Sequence, residues 1–286
     1  MIKVCLIGIG KAGKEIAKMI LNRKDMKIIS AICSSNSLKR DKDLGLEIGS
    51  KEIGVKIESI DELKEVILRS KPDVVVDFST SENTIKASEI VLSSKINLVI
   101  GTTGFTEEYI EKLKYLADYN KIGVIYAPNI TFGVNVLMAL TKISSVLLEN
   151  YDFQITESHH KNKKDIPSGT AIKIKKEIED GLLYNGSSIS DKYIPINSVR
   201  AGGIIGKHEV MIVGDDDRIT ISHESFSRKV FAAGAIKAIN FIVDKKGFYE
   251  MKEVMNLSKV IEGLYSNEDN YNNEIINSEI ALEKFQ

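Results

Sequence analysis

The stretch KVCLIGIGKAGKEIAKMIL, running from Lys3 to Leu21, passes from an apolar segment through a glycine loop into a helical period. Its centre, Gly8-Ile9-Gly10-Lys11-Ala12-Gly13, is GxGxxG at the point where a strand ends and a helix begins. That is the context in which the pattern carries a mechanism. The glycines permit a tight turn and close backbone approach, so a pyrophosphate can rest on exposed N–H groups at the positive end of the helix. On the helix, Ala12, Ile16, Ala17, Ile20 and Leu21 share one face, as packing against a sheet requires. A glycine-rich turn without a ligand is the bland alternative, and the strand before and the amphipathic helix after weigh against it.

From this loop to about Asn129 apolar strand runs alternate with helix-period segments: KVCLIG, KIISAI, DVVVDF, NLVIG and GVIYA. The alternation predicts an α/β fold, a doubly wound, Rossmann-like dinucleotide-binding domain with a parallel sheet covered on both faces. Three segments then fall at the carboxyl ends of strands, where such sheets bind ligands: Asp77-Phe78-Ser79, Gly101-Thr102-Thr103-Gly104 and Ala127-Pro128-Asn129. Singly, each is an ordinary capped turn; together with the glycine loop they predict a cofactor cleft. Dinucleotide folds commonly place an acid on the ribose hydroxyls about 20 residues after the loop. Here the second strand ends in Ile32-Cys33-Ser34-Ser35-Asn36, with no carboxylate. Ser34 and Ser35 can donate to a phosphate, with Lys39 or Arg40 within reach if the loop folds back, so weak discrimination against NADPH is expected.

The pattern changes after Pro128. A long helix from Val134 to about Leu148 precedes DFQITES, and EVMIVG with RITISHE reads as an antiparallel hairpin across Asp215-Asp216-Asp217. These elements predict a second, α+β domain with a mixed sheet. VFAAGAIKAINFIV, Val230 to Val243, is apolar on most sides and reads as a buried helix returning to the first domain. The polar tail from Ser266 reads as a loop followed by a short helix. The 286 residues carry 39 Lys+Arg against 40 Asp+Glu, so no global basic field argues for nucleic acid and any anion site must be local. No apolar run reaches the roughly 18 residues of a membrane span, and no leader pattern opens the chain, which predicts a soluble cytoplasmic protein. Cys5 and Cys33 lie in strand runs and are expected to be reduced and buried.

The local charge lies in ESHHKNKKDIPSGTA, Glu157 to Ala171. A loop holding His159, His160, Lys161, Lys163 and Lys164 leads into a helix whose Ala171, Ile174, Ile178 and Leu182 share one face. Ser168-Gly169-Thr170 therefore offers a hydroxyl and backbone N–H groups at a positive helix terminus, suited to a small carboxylate. His159 and His160 alternate along an extended chain, so they are expected to point to opposite sides. A solvated basic loop before a capped helix is the plainer reading. A zinc site built from Glu157, His159, His160, His208 and His223 has neither HExxH spacing nor cysteine partners, and the lysines would repel a cation, so no metal is expected. His208 and His223 read as hydrogen-bonded structural histidines.

The run from Glu157 to Ala171 resembles ExHHxxKxDxPSGTA, the signature of the dihydrodipicolinate reductases of lysine and diaminopimelate biosynthesis. GIGKAG, DFS, GTTGF, APNITFGVN, RAGGIIGKHEV and SRKVFAAGAIKA extend the resemblance over roughly residues 2–260. It implies NADPH- or NADH-dependent reduction of a cyclic dicarboxylate, 4-hydroxy-tetrahydrodipicolinate. It also implies His159 as the acid–base residue, Lys163 as a second catalytic residue, and His160, Ser168, Gly169 and Thr170 against the substrate. The cofactor would lie on Gly8, Ile9, Gly10, Lys11, Ala12, Gly13 and Ser34, on Gly101, Thr102 and Thr103, and on Ala127, Pro128, Asn129 and Ile130. Residues 1–129 with 241–286 would form the dinucleotide-binding domain and 130–240 the substrate and oligomerisation domain, in a homotetramer. Another two-domain nicotinamide-dependent amino-acid dehydrogenase would share the phosphate loop without the HHxxKxDxPSGT run. A non-catalytic dinucleotide-binding regulator would keep only the fold.

Overall fold

A computed structural model describes residues 1–184, 186 and 193–263; the tail read as a loop and terminal helix lies outside the described residues. The first part of the chain runs β1 (Ile2–Ile7), α1 (Lys11–Leu21), β2 (Met26–Cys33), α2 (Leu44–Glu47), β3 (Ile57–Ser59), α3 (Leu63–Ser70), β4 (Val74–Asp77), α4 (Ser81–Ser93), β5 (Asn97–Ile100), α5 (Glu107–Asn120) and β6 (Gly123–Tyr126). The second part runs α6 (Phe132–Leu147), β7 (Asp152–His159), α7 (Gly169–Tyr184), β8 (Ile196–Arg200), β9 (Lys207–Val213), β10 (Arg218–Glu224), α8 (Lys229–Ile242), β11 (Gly247–Tyr249) and α9 (Met251–Met255).

The first sheet has seven parallel strands in the order β11-β6-β5-β4-β1-β2-β3. Successive strands lie to one side of β1 as far as β3 and to the other from β4 onward. The switch between β1 and β4 opens the crevice at the carboxyl ends of the strands. Val74, Val75 and Val76 are fully buried, as in a strand covered on both faces. On one face α1 and α8 pack together, burying Ile16, Ala17, Ile20, Ala235, Ile239 and Ile242. Each buried isoleucine contributes about 1.5–3 kcal/mol. On the other face Leu63, Val66, Val91, Leu92 and Leu113 of α3, α4 and α5 close the layer. The three-residue strands β3 and β11 carry no readable period, and β11 brings the chain back to the first sheet beside β6.

The second sheet is mixed, in the order β10-β9-β7-β8, with β7 parallel to β8 and antiparallel to β9. The expected hairpin is present, with His208 opposite His223. β7 buries alternate residues, so Phe153, Ile155, Glu157 and His159 share the inner face, where α6 and α7 cover its apolar end. Cys5 and Cys33 are free and buried; burial pushes the Cys5 thiol up to about 12 and that of Cys33 upward, so both stay protonated. No helix among the described residues is long and apolar enough to cross a membrane.

Candidate active site

Gly8 leaves β1 with φ +91°, and a Cβ there would stand 2.5 Å from the Phe78 carbonyl oxygen. A Cβ on Gly13 would lie 1.9 Å from the Gly8 carbonyl oxygen. Both approaches require glycine. Gly10 differs, because nothing lies within 4 Å of its Cβ position. The space over Gly10 faces the N-terminus of α1, which has no side-chain cap and no acid in its first turn. Unopposed N–H groups at a helix terminus with room for a ligand fit a pyrophosphate. Ile9 is buried beneath the turn, Lys11 is exposed beside it, and Ala12 lines the cleft.

The end of β2 corrects one expectation. Cys33, taken as the place of the missing acid, is 4 % exposed and packed in the core, so a carboxylate there would be desolvated. Ser34 is the first exposed residue after the strand. Lys39 does fold back: its Nζ donates to the Ile9 carbonyl inside the glycine loop. Arg40 turns instead to Glu62 and Asp41.

At the end of β4, Asp77 is fully buried, and burial pushes its carboxyl upward. Its Oδ1 accepts from the Ser79 N–H and hydroxyl at 2.8 and 2.6 Å and from the Thr102 hydroxyl at 3.4 Å, locking two turns together. Thr102 and Ala127 consequently lie inward, while Phe78, Gly101 and Thr103 face the cleft with Pro128, Asn129 and Ile130. Asn129 joins the two halves of the molecule. Its carbonyl accepts from Asn135 Nδ2 at 2.7 Å and its side-chain oxygen accepts from the Thr170 hydroxyl.

Across the cleft, His159 ends β7, and its Nδ1 pairs with Glu157 Oε2. Burial is the largest influence on the His159 imidazole and holds it below the usual histidine range; Glu157 acts against burial, and Lys163 and Arg200 with it. The strand stops there, and His159, buried, and His160, half-buried, both border the cleft. Lys163, held 2.8 Å from Asp165, lines it as well. Ser168 is the helix cap, its hydroxyl accepting from the Ala171 N–H at 3.2 Å while its own N–H donates to Glu157 at 3.3 Å. The helix begins at Gly169, and Gly169 and Thr170 face the cleft with its N-terminal dipole.

These residues border one cleft of about 1200 Å³ that reaches from Ala12 to the inner face of the second sheet. Gly8 to Lys11, Gly13, Ser34, Thr102, Ala127 and Ser168 do not line it directly. Sequence reasoning missed four contributors. His208 and His223, read as structural, line the cleft, and the Nδ1 atoms of both are buried without a partner among the described residues. Burial holds His208 down at about 3, so it is neutral beside His159. Arg228 brings a cation from the start of α8, and Arg200 grips Glu157 from β8. Histidines on facing hairpin arms are the signal that was available for the first two; the arginines fall within RAGGIIGKHEV and SRKVFAAGAIKA, which carried the resemblance without a role for either.

Sequence models of the family described as dihydrodipicolinate reductase match in two parts, the N-terminus over residues 2–130 and the C-terminus over residues 133–255. The chain is 36 % identical to the 4-hydroxy-tetrahydrodipicolinate reductase of Methanocaldococcus jannaschii over 272 residues, covering 91 % of this chain and 99 % of that one. It is 34 % identical over 273 residues to that of Methanococcus aeolicus, covering 91 % and 100 %. Among solved structures, a dipicolinate-bound dihydrodipicolinate reductase from a Paenisporosarcina species superposes with a TM-score of 0.70 at 28 % identity, over 87 % of this chain and 97 % of that one. An amine dehydrogenase from Mycobacterium smegmatis, TM-score 0.64 at 14 % identity over 87 % and 94 %, shares the fold. With matches that run from the glycine loop through both sheets to α9, the chain belongs to the dihydrodipicolinate reductase family.

Proposed function

We propose that this protein reduces 4-hydroxy-tetrahydrodipicolinate to tetrahydrodipicolinate in diaminopimelate and lysine biosynthesis, using NADPH at least comparably to NADH. The observation that carries the reading is the cleft that runs from Ala12, in the first turn of the glycine-loop helix, to His159, Lys163 and a second helix N-terminus. The relatives named above act on the same compound, and the related solved structure holds dipicolinate.

Gly8 to Gly13 would hold the cofactor's pyrophosphate, with Gly101, Thr103 and the Pro128–Ile130 turn along its nicotinamide half and Thr102 and Ala127 buried behind them. The bound cofactor supplies a hydride. Loss of the substrate hydroxyl as water leaves a conjugated C=C–C=N, and two electrons arriving with the hydride at one ring carbon put negative charge on the ring. His159 Nε2 delivers the proton to the neighbouring carbon, and Lys163 stabilises the developing charge. Gly169 and Thr170 at the start of α7 take one carboxylate, with His160 beside it. Burial keeps His159 neutral in the empty cleft, and a bound dicarboxylate would raise its proton affinity, so the substrate itself loads the acid.

Lys39 supports the use of NADPH, since it follows the end of β2, the side on which dinucleotide folds hold the ribose 2′-substituent, and its ammonium reaches back to the Ile9 carbonyl. A homotetramer in the cytoplasm belongs to the same reading; light scattering of the purified protein tests the oligomeric state. The assay for function is NADPH or NADH oxidation dependent on freshly generated 4-hydroxy-tetrahydrodipicolinate. Oxidation is expected with both cofactors. Its absence with both would return the chain to the dehydrogenase or regulator readings.

A further inference from the structure

Glu157 is fully buried on the inner face of the second sheet, beyond the reach of a ligand in the cleft. Arg200, directly opposite His159 on the neighbouring strand, grips both of its carboxylate oxygens, Nη1 to Oε2 at 2.9 Å and Nη2 to Oε1 at 2.7 Å. The Ser168 N–H takes Oε1 as well. Such a pair could serve folding alone, since buried ion pairs are common structural devices. The remaining partner separates the two roles, because Oε2 also meets Nδ1 of His159, the residue whose ring lines the cleft.

We infer that Glu157, fixed by Arg200, is a positioning residue for His159: it accepts the Nδ1–H and leaves Nε2 as the nitrogen that exchanges protons with the ligand. A carboxylate held by an arginine is an acceptor only, so neutral His159 must carry its hydrogen on Nδ1. Nε2 then points away from Glu157 toward Gly206, where even a methyl group would stand 3.3 Å from it. Arg200 fixes the carboxylate and also divides its pull on the imidazolium. The groups facing His159 are Glu157 on β7, Arg200 on β8, Lys163 on the following loop and His208 on β9, whose ring centroid lies 5.1 Å away edge-on. His223 on β10 stands behind His208. Burial alone would push Glu157 up, yet its hydrogen bonds, led by that from Arg200, hold it down at about 2. It is therefore ionised wherever His159 titrates.

The assignment rests on the reductase reading for its catalytic meaning, whereas the test of the geometry needs no substrate. Long-range proton–nitrogen NMR spectra of the 15N-histidine protein report the tautomer of each of its four histidines, with His159 identified by its loss in His159→Gln. The neutral form is expected as Nδ1–H. Glu157→Gln should lower the His159 midpoint by about one pH unit, the effect of losing an adjacent charge. Arg200→Met should move it in the opposite direction, because the carboxylate is then left to the imidazole. In turnover, the basic limb of kcat should follow the same two directions. An Nε2–H tautomer for His159 in the wild-type protein overturns the assignment, as does a midpoint unmoved in Glu157→Gln. Because the spectra are taken without substrate, this outcome is separable from a failed reductase assay.

Discussion

Replacing Lys39 by Met removes the ammonium at the glycine loop while keeping most of the stem. In the structure that ammonium lies on the Ile9 carbonyl, one residue from the open space over Gly10. A hydrogen bond to a charged group contributes about 1.5–3 kcal/mol when sheltered. Lys39 is half-buried, so solvent screening moves the figure to the lower end, about 1.5 kcal/mol, or roughly tenfold. We expect Lys39→Met to lower kcat/KM for NADPH by about tenfold and to leave that for NADH within about twofold, because NADH has no 2′-phosphate for the cation to meet. The dissociation constants, read without substrate from the fluorescence of the reduced nicotinamide, should change in the same ratio. The reciprocal change belongs at Ser34, the first exposed residue after β2, where Ser34→Glu should favour NADH; Cys33→Glu would put its charge into the core. A loss shared equally by both cofactors, or no loss with NADPH, would refute a role for Lys39 at the 2′-phosphate.

His159→Ala should reduce kcat by about a hundred- to ten-thousand-fold with little change in KM, because its proton is needed in the transition state; steady-state kinetics at one pH decide it. Lys163→Ala should damage both constants, and a change confined to thermal stability would make the lysine part of an ordinary basic loop. Pyridine-2,6-dicarboxylate should compete with substrate and pyridine-2-carboxylate should bind far more weakly; equal inhibition would mean that the cleft does not clamp two carboxylates. Glu157 is held down at about 2, below the usual value near 4.3. Its contribution to stability is therefore complete above the unfolded value and lost as pH falls toward the folded one. Thermal denaturation of Glu157→Gln/Arg200→Met should accordingly lose less Tm than the wild type between about pH 5 and 3.

The phosphate loop was legible because its chemistry is local: six consecutive residues from Gly8 to Gly13 make the turn, the close approach and the helix terminus. The five longer strands of the first sheet were legible from apolar runs alone. What escaped depends on pairing between distant segments. Arg200 meets Glu157 across 43 residues of chain through the register of β7 and β8, and no period in either segment announces that partner. His208 and His223 were visible as residues, and His208 is buried and hydrogen-bonded to Ser168 as expected, but their place on the inner face follows from a register shared with Glu157 across three strands.

The most direct test of the central claim follows the hydride. NADPH carrying deuterium at both nicotinamide C4 positions is incubated with the protein and freshly generated 4-hydroxy-tetrahydrodipicolinate, and the product is analysed by mass spectrometry. The account predicts tetrahydrodipicolinate carrying one deuterium on a ring carbon, formed by the wild type and at a greatly reduced rate by His159→Ala. Substrate-dependent cofactor oxidation that leaves no deuterium in the product, or formation of the labelled product at an undiminished rate by His159→Ala, would contradict it.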